Sequence, residues 1–345
     1  MSEAARRMRA VRFLAPRREF ELRAVAIPEP GPGQVRVRVR ACGICRTELH
    51  LRDGLLDLGR RDFTVGHEIA GIIDAAGEGV DAARIGERVV LYYYEGCGAC
   101  RYCRLGEEQL CPAPRAQPGF TSDGGYADYI TIRAGNCVPV PDHVPLEQIA
   151  PMGCAGSTAV HAGRMARIRP GDWVVVQGVG GVGLPLLQYA RAAGARVIAV
   201  DLGAEKLALA ARLGADVTVD AGGEQDVAAQ VASITGDGAD IVFELVGQTA
   251  TMRRAVAMLR RQGRLVLIGY TAQDLQIHPV ELIIREAAVL GSVGSSLQDL
   301  YEIVELVARG IITPVVDRTL PLERFAEGLA ELERGATLGR IVLAG

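Results

Sequence analysis

The sequence predicts an α/β chain in which a β-rich domain accompanies a doubly wound, mostly parallel sheet. Residues 1–150 contain short strand-like runs separated by Gly- and Pro-rich turns, as at Val35–Arg40, where apolar and basic residues alternate. From about Gly171 onward, apolar β-branched runs alternate with helix-compatible segments. Alternation of this kind is typical of parallel sheets whose strands are connected by helices.

Length and charge limit the classes of protein that fit. The 345 residues are enough for two domains with separate cores. The net charge of −3 gives no reason to expect a nucleic-acid or membrane partner, and no apolar run approaches the ~18 residues of a membrane-spanning helix. The first stretch, MSEAARRMRAVRF, has basic residues without a following apolar core, so we do not expect a signal peptide, and residues 1–7 are expected to form a solvated extension. We therefore expect a cytoplasmic protein.

The predicted elements follow the chain in order. The β-rich part is predicted to contain strands at Val35–Arg40, Arg88–Tyr94 and Tyr126–Ile132, and a loop is predicted at Cys154–Ser157. The strands predicted after that loop are Val174–Val176, Arg196–Val200, Val217–Val219, Asp240–Leu245, Gly263–Gly269, Ala288–Val293 and Gly339–Leu343. The predicted helices are Leu184–Ala193, Ala204–Leu213, Gln225–Ile234, Thr249–Arg260 and Leu297–Ala308.

One strand, turn and helix has the pattern of a dinucleotide site. Val174–Val176 leads into a Gly-rich turn, a helix follows, and the next strand ends on Asp201, 18 residues after Gly183. Such a turn bends tightly, lets the backbone approach a pyrophosphate, and allows helix and strand to pack closely. The turn residues expected at the cofactor are Gly178, Gly180, Gly181, Val182 and Gly183. Asp201 is expected to bind the ribose 2′-hydroxyl of NAD, and an ordinary helix N-cap is the alternative interpretation.

Four of the eight cysteines form a compact motif, C-x2-C-x2-C-x7-C. Four thiolates on a short loop satisfy the tetrahedral coordination of a structural Zn²⁺ ion and leave no open position. An iron–sulfur cluster also takes four thiolates, but no Pro follows Cys103 and no second cluster motif is present. The sequence therefore favours structural zinc, held by Cys97, Cys100, Cys103 and Cys111.

Three further metal-ligand residues, Cys45, His67 and Cys154, are dispersed along the chain. Each one alone has an ordinary interpretation, as a small core residue or as a buried histidine with satisfied hydrogen bonds. Together they supply two thiolates and one imidazole and leave the fourth position open, which is the plan of a catalytic zinc site.

Over residues 8–345 the sequence resembles the medium-chain, zinc-dependent alcohol dehydrogenase family. The matching pieces occur in the family's order: CGICRTELH, GHEIAGII, the four-cysteine loop, DGGYADYI, GCAGSTAV, GVGGVG and GRIVL. The resemblance implies a GroES-like catalytic domain, residues 1–155 and 294–345, with a structural-zinc lobe at residues 95–113. It also implies a Rossmann domain that binds NAD, residues 156–293.

The resemblance further implies roles for individual residues. Two zinc ions per chain are implied, one catalytic, held by Cys45, His67 and Cys154, and one structural, held by the four-cysteine motif. Glu68 is implied to lie behind the catalytic metal, and Tyr93 is implied to line the substrate pocket. The remaining implied contacts with the dinucleotide come from Arg46, Lys206, Ile268, Val293 and Arg340.

The family mechanism uses zinc as a Lewis acid that lowers the pKa of a bound alcohol, while hydride passes to the nicotinamide. The proton is implied to leave through the hydroxyl of Thr47, the cofactor ribose and His50, which titrates near neutrality. The alternative interpretations are a helix-cap hydroxyl for Thr47 and surface residues for His50 and Arg46.

Glu48 is a departure from the family pattern. The family usually has Asp at this position, an acid that orients the ligand histidine and pairs with the arginine at Arg340. Glu is one methylene longer, so the sequence leaves these contacts open. Cys42 and Cys137 have no metal role in the family, and we expect both to be packed thiols.

The sequence thus predicts an NAD- and zinc-dependent dehydrogenase that acts reversibly on small primary or secondary alcohols and the matching aldehydes or ketones. The same fold acting on a polyol, amino alcohol or biosynthetic intermediate is the alternative within the family. A non-catalytic zinc- and nucleotide-binding module is the alternative of another class, although Arg46, Thr47 and His50 argue against it. A homotetramer or homodimer is expected, with Ala287–Val293 as a candidate edge strand.

Overall fold

The computed structural model describes residues 7–223 and 226–345. The strands of these residues are β1 (Arg7–Phe13), β2 (Glu21–Ala26), β3 (Gln34–Gly43), β4 (Phe63–Thr64), β5 (Glu68–Ala76), β6 (Arg88–Leu91), β7 (Tyr129–Arg133), β8 (Cys137–Pro139), β9 (Trp173–Gln177), β10 (Arg196–Asp201), β11 (Val217–Asp220), β12 (Ala239–Glu244), β13 (Leu259–Leu267), β14 (Ala288–Gly291), β15 (Val316–Pro321) and β16 (Arg340–Ala344). The helices are α1 (Arg46–Asp53), α2 (Arg101–Arg104), α3 (Leu146–Ile149), α4 (Ala155–Ala166), α5 (Gly183–Ala192), α6 (Ala204–Arg212), α7 (Val227–Thr235), α8 (Thr249–Ala257), α9 (Pro279–Ile283), α10 (Leu297–Ala308) and α11 (Phe325–Glu333).

The chain divides into two compact units. The β-rich unit comprises the described residues up to Ser157 together with Ser295–Arg309 and Pro314–Gly345. The parallel-sheet unit comprises Thr158–Gly294 and Gly310–Thr313.

The β-rich unit contains a seven-stranded sheet and a three-stranded sheet. The larger sheet has the order β15-β16-β3-β5-β6-β8, and β7 pairs with β3 outside this path. Strand β3 pairs antiparallel with both β5 and β16, and it is buried along one face by Val35, Val37 and Ala41. Strand β5 carries Gly71, where a Cβ would overlap the carbonyl oxygen of Arg38, so the close approach of the two strands depends on glycine.

The parallel-sheet unit has one six-stranded sheet of order β11-β10-β9-β12-β13-β14. All of its pairings are parallel, and the order reverses between β9 and β12. This is the doubly wound arrangement that the alternation of strands and helices predicts, and ligands bind such sheets at the carboxyl ends of the strands beside the reversal. The core lies between sheet and helices and is formed by fully buried residues of three central strands, including Val175, Ile198 and Val242.

Several predicted elements differ in their bounds from those observed. Strand β6 ends at Leu91, not Tyr94, and helix α8 ends at Ala257, because Arg260 already belongs to strand β13. Of the predicted loop at Cys154–Ser157, Cys154 is a turn and the other three residues begin helix α4. Gln225, the predicted start of the next helix, and residues 1–6 of the predicted extension lie outside the described residues, whereas Arg7 belongs to β1.

The three tyrosines after β6 do not continue the strand. Two of their carbonyl groups accept hydrogen bonds from the Asn136 side chain instead of from a neighbouring strand. Nδ2 of Asn136 donates hydrogen bonds to the carbonyl oxygens of Tyr92 at 2.8 Å and Tyr94 at 2.9 Å. The amide of Tyr92 donates to the carbonyl oxygen of Asn136 at 2.8 Å. The backbone on both sides of Tyr93 is therefore held by one buried amide, which no local strand pattern would reveal.

None of the helices in residues 7–223 and 226–345 is both long and apolar enough to cross a bilayer.

Candidate functional site

The β-rich unit brings the three dispersed ligand residues together. Cys45 caps helix α1 after the end of β3, His67 immediately precedes β5, and Cys154 precedes helix α4. One ligand atom from each of Cys45, His67, Glu68 and Cys154 lies within 4.8 Å of the others. The structure therefore collects two thiols, one imidazole and one carboxylate, which is a donor set suited to Zn²⁺.

The surroundings of His67 suit a metal ligand. The ring is fully buried, and its Nδ1 lies 2.8 Å from Oε1 of Glu48. Nε2 has no hydrogen-bond partner among the described residues, although it is buried. A carboxylate on one ring nitrogen and a vacant second nitrogen form the arrangement that orients a ligand histidine.

Electrostatics at this cluster favour a positive charge. Burial opposes protonation of His67, but the Glu48 carboxylate and Cys45 outweigh it and raise the pKa of His67 to about 10. The pKa of Cys45 is lowered by its hydrogen bond with Cys154 and by Arg340. The negative groups that stabilise a proton on the buried His67 ring would also stabilise a metal cation at the same place. The residues present therefore fit a metal ion.

Glu68 lies beside the cluster but is paired. Its Oε1 accepts from Nη2 of Arg340 at 3.0 Å and from Nε at 3.2 Å, and both side chains are buried. Burial raises the pKa of Glu68 to about 8 although Arg340 opposes that shift. Nη2 of Arg340 also lies 3.6 Å from Sγ of Cys45. Arg340 thus belongs to the metal cluster of the β-rich unit.

Glu48 resolves the departure that the sequence left open. Its Oε2 accepts from the backbone amide of Cys45 at 2.8 Å, while Oε1 faces His67. The longer side chain therefore keeps the histidine contact expected of Asp and also caps helix α1. The expected pairing with Arg340 is not seen, because Arg340 pairs with Glu68.

Helix α1 carries the residues expected to relay a proton. Oγ1 of Thr47 lies 3.4 Å from Sγ of Cys45, and Cys45, not Thr47, is the N-cap. His50 is half-buried in the last turn, and burial lowers its pKa. Residues three apart share one helix face, so Thr47 and His50 lie on the same side of α1. The alternative interpretations of Thr47 as a cap and of His50 as an exposed residue are wrong.

Arg46, the residue between the cap and Thr47, is exposed, and its Nη2 donates to the carbonyl oxygen of Leu332 at 3.3 Å. Its guanidinium is thus on the surface of the β-rich unit, and its interpretation as a surface charge stands beside the cofactor role.

The four-cysteine lobe has the spacing of a single-ion site. Sulfur–sulfur distances are 3.9 Å for Cys97–Cys103, 3.5 Å for Cys100–Cys103 and 3.9 Å for Cys100–Cys111. A tetrahedron with Zn–S bonds of about 2.3 Å has edges of about 3.8 Å. Backbone amides of Ala99 and Cys100 point at the sulfur of Cys97 and lower its pKa to about 6. The sulfurs surround room for one ion and not for a cluster of several irons.

The Gly-rich turn follows β9 at the carboxyl edge of the parallel sheet. Gly178 has φ +101°, and a Cβ on Gly183 would overlap the carbonyl oxygen of Gly178. A Cβ on Gly180 would meet nothing within 4 Å, so this position faces open space in front of helix α5. Gly181 and Val182 complete the turn before the first residue of the helix, whose amides favour an anion.

Asp201 at the end of β10 is tied to this turn. Its Oδ2 accepts from the amide of Val179 at 2.7 Å and its Oδ1 from the amide of Leu202 at 2.6 Å. Nζ of Lys206 lies 3.9 Å from Oδ1. Gly203 is the N-cap of α6, so the alternative interpretation of Asp201 as that cap is wrong.

The remaining residues predicted at the cofactor follow other strands of the same sheet. Ile268 directly follows β13 and is half-buried, and Val293 follows β14 and is 52% exposed. Both lie at carboxyl ends of parallel strands, as Asp201 and Gly178 do.

Sequence reasoning missed two residues that shape these sites, Phe120 and Glu244, and one contact of Tyr93. The ring of Phe120 lies 4.7 Å from that of His67, and no sequence signal connects residues so far apart in the chain. The hydroxyl of Tyr93 donates to Sγ of Cys154 at 3.7 Å, a contact that its expected pocket role does not include. Buried Glu244, at the end of β12, accepts from the amide of Gly247 at 2.9 Å and from Oγ1 of Thr251 at 2.7 Å. An acidic residue closing an apolar strand could have indicated Glu244.

Comparisons with known proteins agree with this geometry. The family model described as "Alcohol dehydrogenase GroES-like domain" matches residues 31–142, and the one described as "Zinc-binding dehydrogenase" matches residues 181–309. An alcohol dehydrogenase of Geobacillus stearothermophilus is 35% identical over 329 residues, which cover 95% of this chain and 96% of that protein.

The descriptions of two further similar proteins mention NAD. An NAD-dependent alcohol dehydrogenase of Sulfurisphaera tokodaii is 35% identical over 347 residues, which cover 97% of this chain and 99% of that protein. The solved structure of acetophenone reductase from Geotrichum candidum in complex with NAD has a TM-score of 0.92 and 30% identity, and the match covers 100% of this chain and 99% of that one. The predicted fold class and family are therefore confirmed, and the chain belongs to the medium-chain, zinc-dependent alcohol dehydrogenase family.

Proposed function

We propose that this chain catalyses the reversible, NAD-linked oxidation of small primary or secondary alcohols to aldehydes or ketones at a zinc site. The observation that carries the proposal is the group formed by buried Cys45, His67 and Glu68 and half-buried Cys154, whose ligand atoms lie within 4.8 Å of one another. Two thiols with an unpartnered imidazole nitrogen are the ligands of a catalytic zinc, and the family to which the chain belongs uses such a site on alcohols.

Cys45, His67 and Cys154 would hold the catalytic ion, and Cys97, Cys100, Cys103 and Cys111 the structural one. The catalytic ion supplies Lewis acidity at the substrate oxygen when it is bound. Glu48 orients His67 through Nδ1 and fixes the Cys45 backbone, so that two ligand residues are held by one carboxylate.

Protons would leave the substrate oxygen along helix α1. The Thr47 hydroxyl, 3.4 Å from the Cys45 sulfur, would accept the proton, and His50 on the same side of helix α1 would be its final acceptor. Burial lowers the pKa of His50, so its ring is neutral and able to accept a proton above pH ~6.5.

The cofactor would lie along the carboxyl edge of the parallel sheet. Gly180, Gly181 and Val182 would approach the pyrophosphate, Asp201 and Lys206 the ribose, and Ile268 and Val293 the nicotinamide side. The exposed Arg46 would also contact the dinucleotide. In this assignment residues 1–155 and 294–345 form the catalytic domain, and residues 156–293 form the NAD-binding domain.

Turnover separates this proposal from a non-catalytic zinc- and nucleotide-binding module. The purified protein should reduce NAD with primary and secondary alcohols, followed by NADH absorbance, and a polyol and amino alcohol in the panel test the alternatives within the family. His50→Gln should lower kcat at pH 7 by about 10- to 100-fold, because it removes the terminal proton acceptor.

His143→Gln is the matched control, since His143 is exposed and lies outside helix α1. It should leave kcat unchanged. Metal and NAD binding without turnover of any alcohol would support the non-catalytic module instead.

Elemental analysis should find two zinc ions per chain. Cys154→Ala should leave one zinc in a folded, inactive protein. Cys100→Ala should also leave one zinc but should lower the unfolding temperature by roughly 10 °C, since metal binding and folding of the lobe are coupled.

Cys137→Ala is the control for both variants, because Cys137 is a buried thiol of strand β8 outside either group. It should retain two zinc ions. A wild-type protein that contains one ion or none, without prior chelation, would contradict the assignment.

The kcat/KM for NAD should exceed that for NADP by a factor of about 100. The reason is that the 2′-phosphate of NADP would lie next to the Asp201 carboxylate, and the two negative charges would repel each other. The double variant Asp201→Ser with Leu202→Arg should shift the preference toward NADP, and Leu202 is exposed enough to accept the larger side chain.

Asp201 also holds the amide of Val179, so the double variant changes the turn as well as the charge. Asp201→Asn keeps an acceptor at Val179, removes the charge and loses only the hydrogen bond from the Leu202 amide, so it should relax the preference with at most a small fall in the unfolding temperature. Equal kcat/KM values for NAD and NADP in the wild-type protein would show that Asp201 does not face the ribose.

Oligomerisation is proposed through the open edge of the parallel sheet. Strand β14 is the last strand of that sheet, and helix α9 before it exposes Val280 by 47% and Ile283 by 70%. We propose a homodimer or homotetramer in which two β14 edges meet.

Light scattering at micromolar concentration should give at least twice the chain mass of 36.7 kDa. Ile283→Glu together with Ile284→Glu should reduce the measured mass, whereas Ile85→Glu, on the β-rich unit, should not. A wild-type monomer would refute the proposal.

A cytoplasmic location is also proposed. All eight cysteines lie in the described residues and none forms a disulfide, which suits a reducing compartment. Cell fractionation tests this, and recovery outside the cytoplasmic fraction would contradict it.

A further inference from the structure

The hydroxyl of Tyr93 lies against one of the two candidate metal-binding thiols. It donates to Sγ of Cys154 at 3.7 Å, and Tyr93 is only 3% exposed. We propose that Tyr93 is a positioning residue whose hydrogen bond fixes the Cys154 sulfur and reduces its electron donation to the catalytic metal. The inference rests on the proposed function in one respect, that Cys154 binds the catalytic ion.

The ring of Tyr93 is fixed on three sides. It packs edge-on against the ring of His67 at 5.1 Å, and its centroid lies 5.5 Å from that of Phe120 and 4.5 Å from that of Tyr94. The backbone before and after it is held by Asn136. A ring with this little freedom presents its hydroxyl at one place, which a flexible pocket residue would not do.

The two thiols of the cluster receive different donors. Cys45 lies 3.6 Å from the Arg340 guanidinium and 3.4 Å from the Thr47 hydroxyl, so its donors include a cation. Cys154 has the neutral phenol of Tyr93 as its side-chain donor. Each sulfur therefore meets a hydrogen-bond donor, and the donor differs in charge between the two thiols.

A hydrogen bond to a thiolate draws electron density away from the sulfur. A metal ion held by that sulfur keeps more of its positive charge and polarises a substrate oxygen more strongly. Hydrogen bonds to ligand sulfurs tune iron–sulfur centres in the same way. The Tyr93 hydroxyl thus contributes to the chemistry through Cys154 rather than by touching the substrate.

Tyr93→Phe tests this, because it removes the hydroxyl and keeps the ring that would line a pocket. The catalytic ion is exchanged for Co²⁺, whose sulfur-to-metal charge-transfer absorption reports electron donation from the thiolates. The variant should show this band at lower energy than the wild-type protein. Its kcat should fall about fivefold with KM unchanged, the size of effect expected from one modest hydrogen bond.

Tyr92→Phe is the matched control, one residue earlier in the same segment. The Tyr92 hydroxyl donates to the carbonyl oxygen of Ser295 at 2.9 Å and not to a thiol. This variant should melt at a lower temperature but should keep the wild-type absorption band and kcat.

A second variant that strengthens the hydrogen bond keeps the proposal testable if Tyr93→Phe fails to fold. Site-specific replacement of Tyr93 by 3-fluorotyrosine makes the phenol a stronger donor at almost the same size, and it should move the band to higher energy.

An unchanged band in Tyr93→Phe and in the fluorinated protein would overturn the proposal. A raised KM with an unchanged band would overturn it in favour of a hydroxyl that binds the substrate. The band requires only bound Co²⁺ and no turnover. A wild-type protein that shows the band but no turnover would therefore refute the proposed activity, and the band shift would still decide the role of Tyr93. A wild-type protein without a thiolate band would refute both.

Discussion

Burial of charge in the β-rich unit is the constraint on which the candidate site depends. Glu48, Glu68 and His67 are fully buried, and Arg340 is 6% exposed. Such groups persist in a folded protein only when each has a partner, because desolvation of an unpaired charge costs several kcal/mol. The pairings seen here meet that demand in part: Glu68 with Arg340, and Glu48 with His67 and the Cys45 amide. Nε2 of His67, which lies near the two thiols, has no partner among the described residues. A bound cation would supply that partner.

The sheet of that unit makes these pairings possible. Strand β3 lies between β5 and β16, with Gly43 opposite both Glu68 and Val342. A side chain at Gly43 would overlap the Glu68 carboxylate, so glycine leaves the room in which that acid meets its arginine. The ends of these strands thus bring a thiol, an imidazole, a carboxylate and a guanidinium to one place. In the parallel-sheet unit the glycines of the turn and Asp201 likewise lie at one edge, because both lie at the carboxyl ends of neighbouring strands.

The parts of the molecule that could be predicted are those set by local pattern. Strand β10 and helix α10 were predicted with the observed or nearly observed bounds, since hydrophobic periodicity and flanking glycines determine such elements. The Tyr92–Tyr94 segment was extended wrongly as strand, because its backbone is bound by the distant Asn136. The four-cysteine lobe could be predicted from spacing alone. The residue types of Cys45, His67 and Cys154 allowed a catalytic zinc site, but their grouping gained its main support from the family resemblance. The contacts of Glu48, Phe120 and Tyr93 depend on side-chain geometry, which no spacing rule contains.

The pairing of Glu68 with Arg340 joins residues 272 positions apart, and it has a consequence for biosynthesis. During translation strands β3 and β5 emerge early, whereas β16, which pairs with β3, emerges after the other strands of this sheet. The parallel-sheet unit is nearly continuous in sequence and relies on neighbouring strands, so it is able to assemble while the ribosome is still working. In the nascent chain Glu68 has no arginine partner and the metal-site thiols stay exposed until Arg340 has been synthesised. Premature truncation near the carboxyl end would therefore release a chain with a formed nucleotide-binding fold and an unfinished metal site.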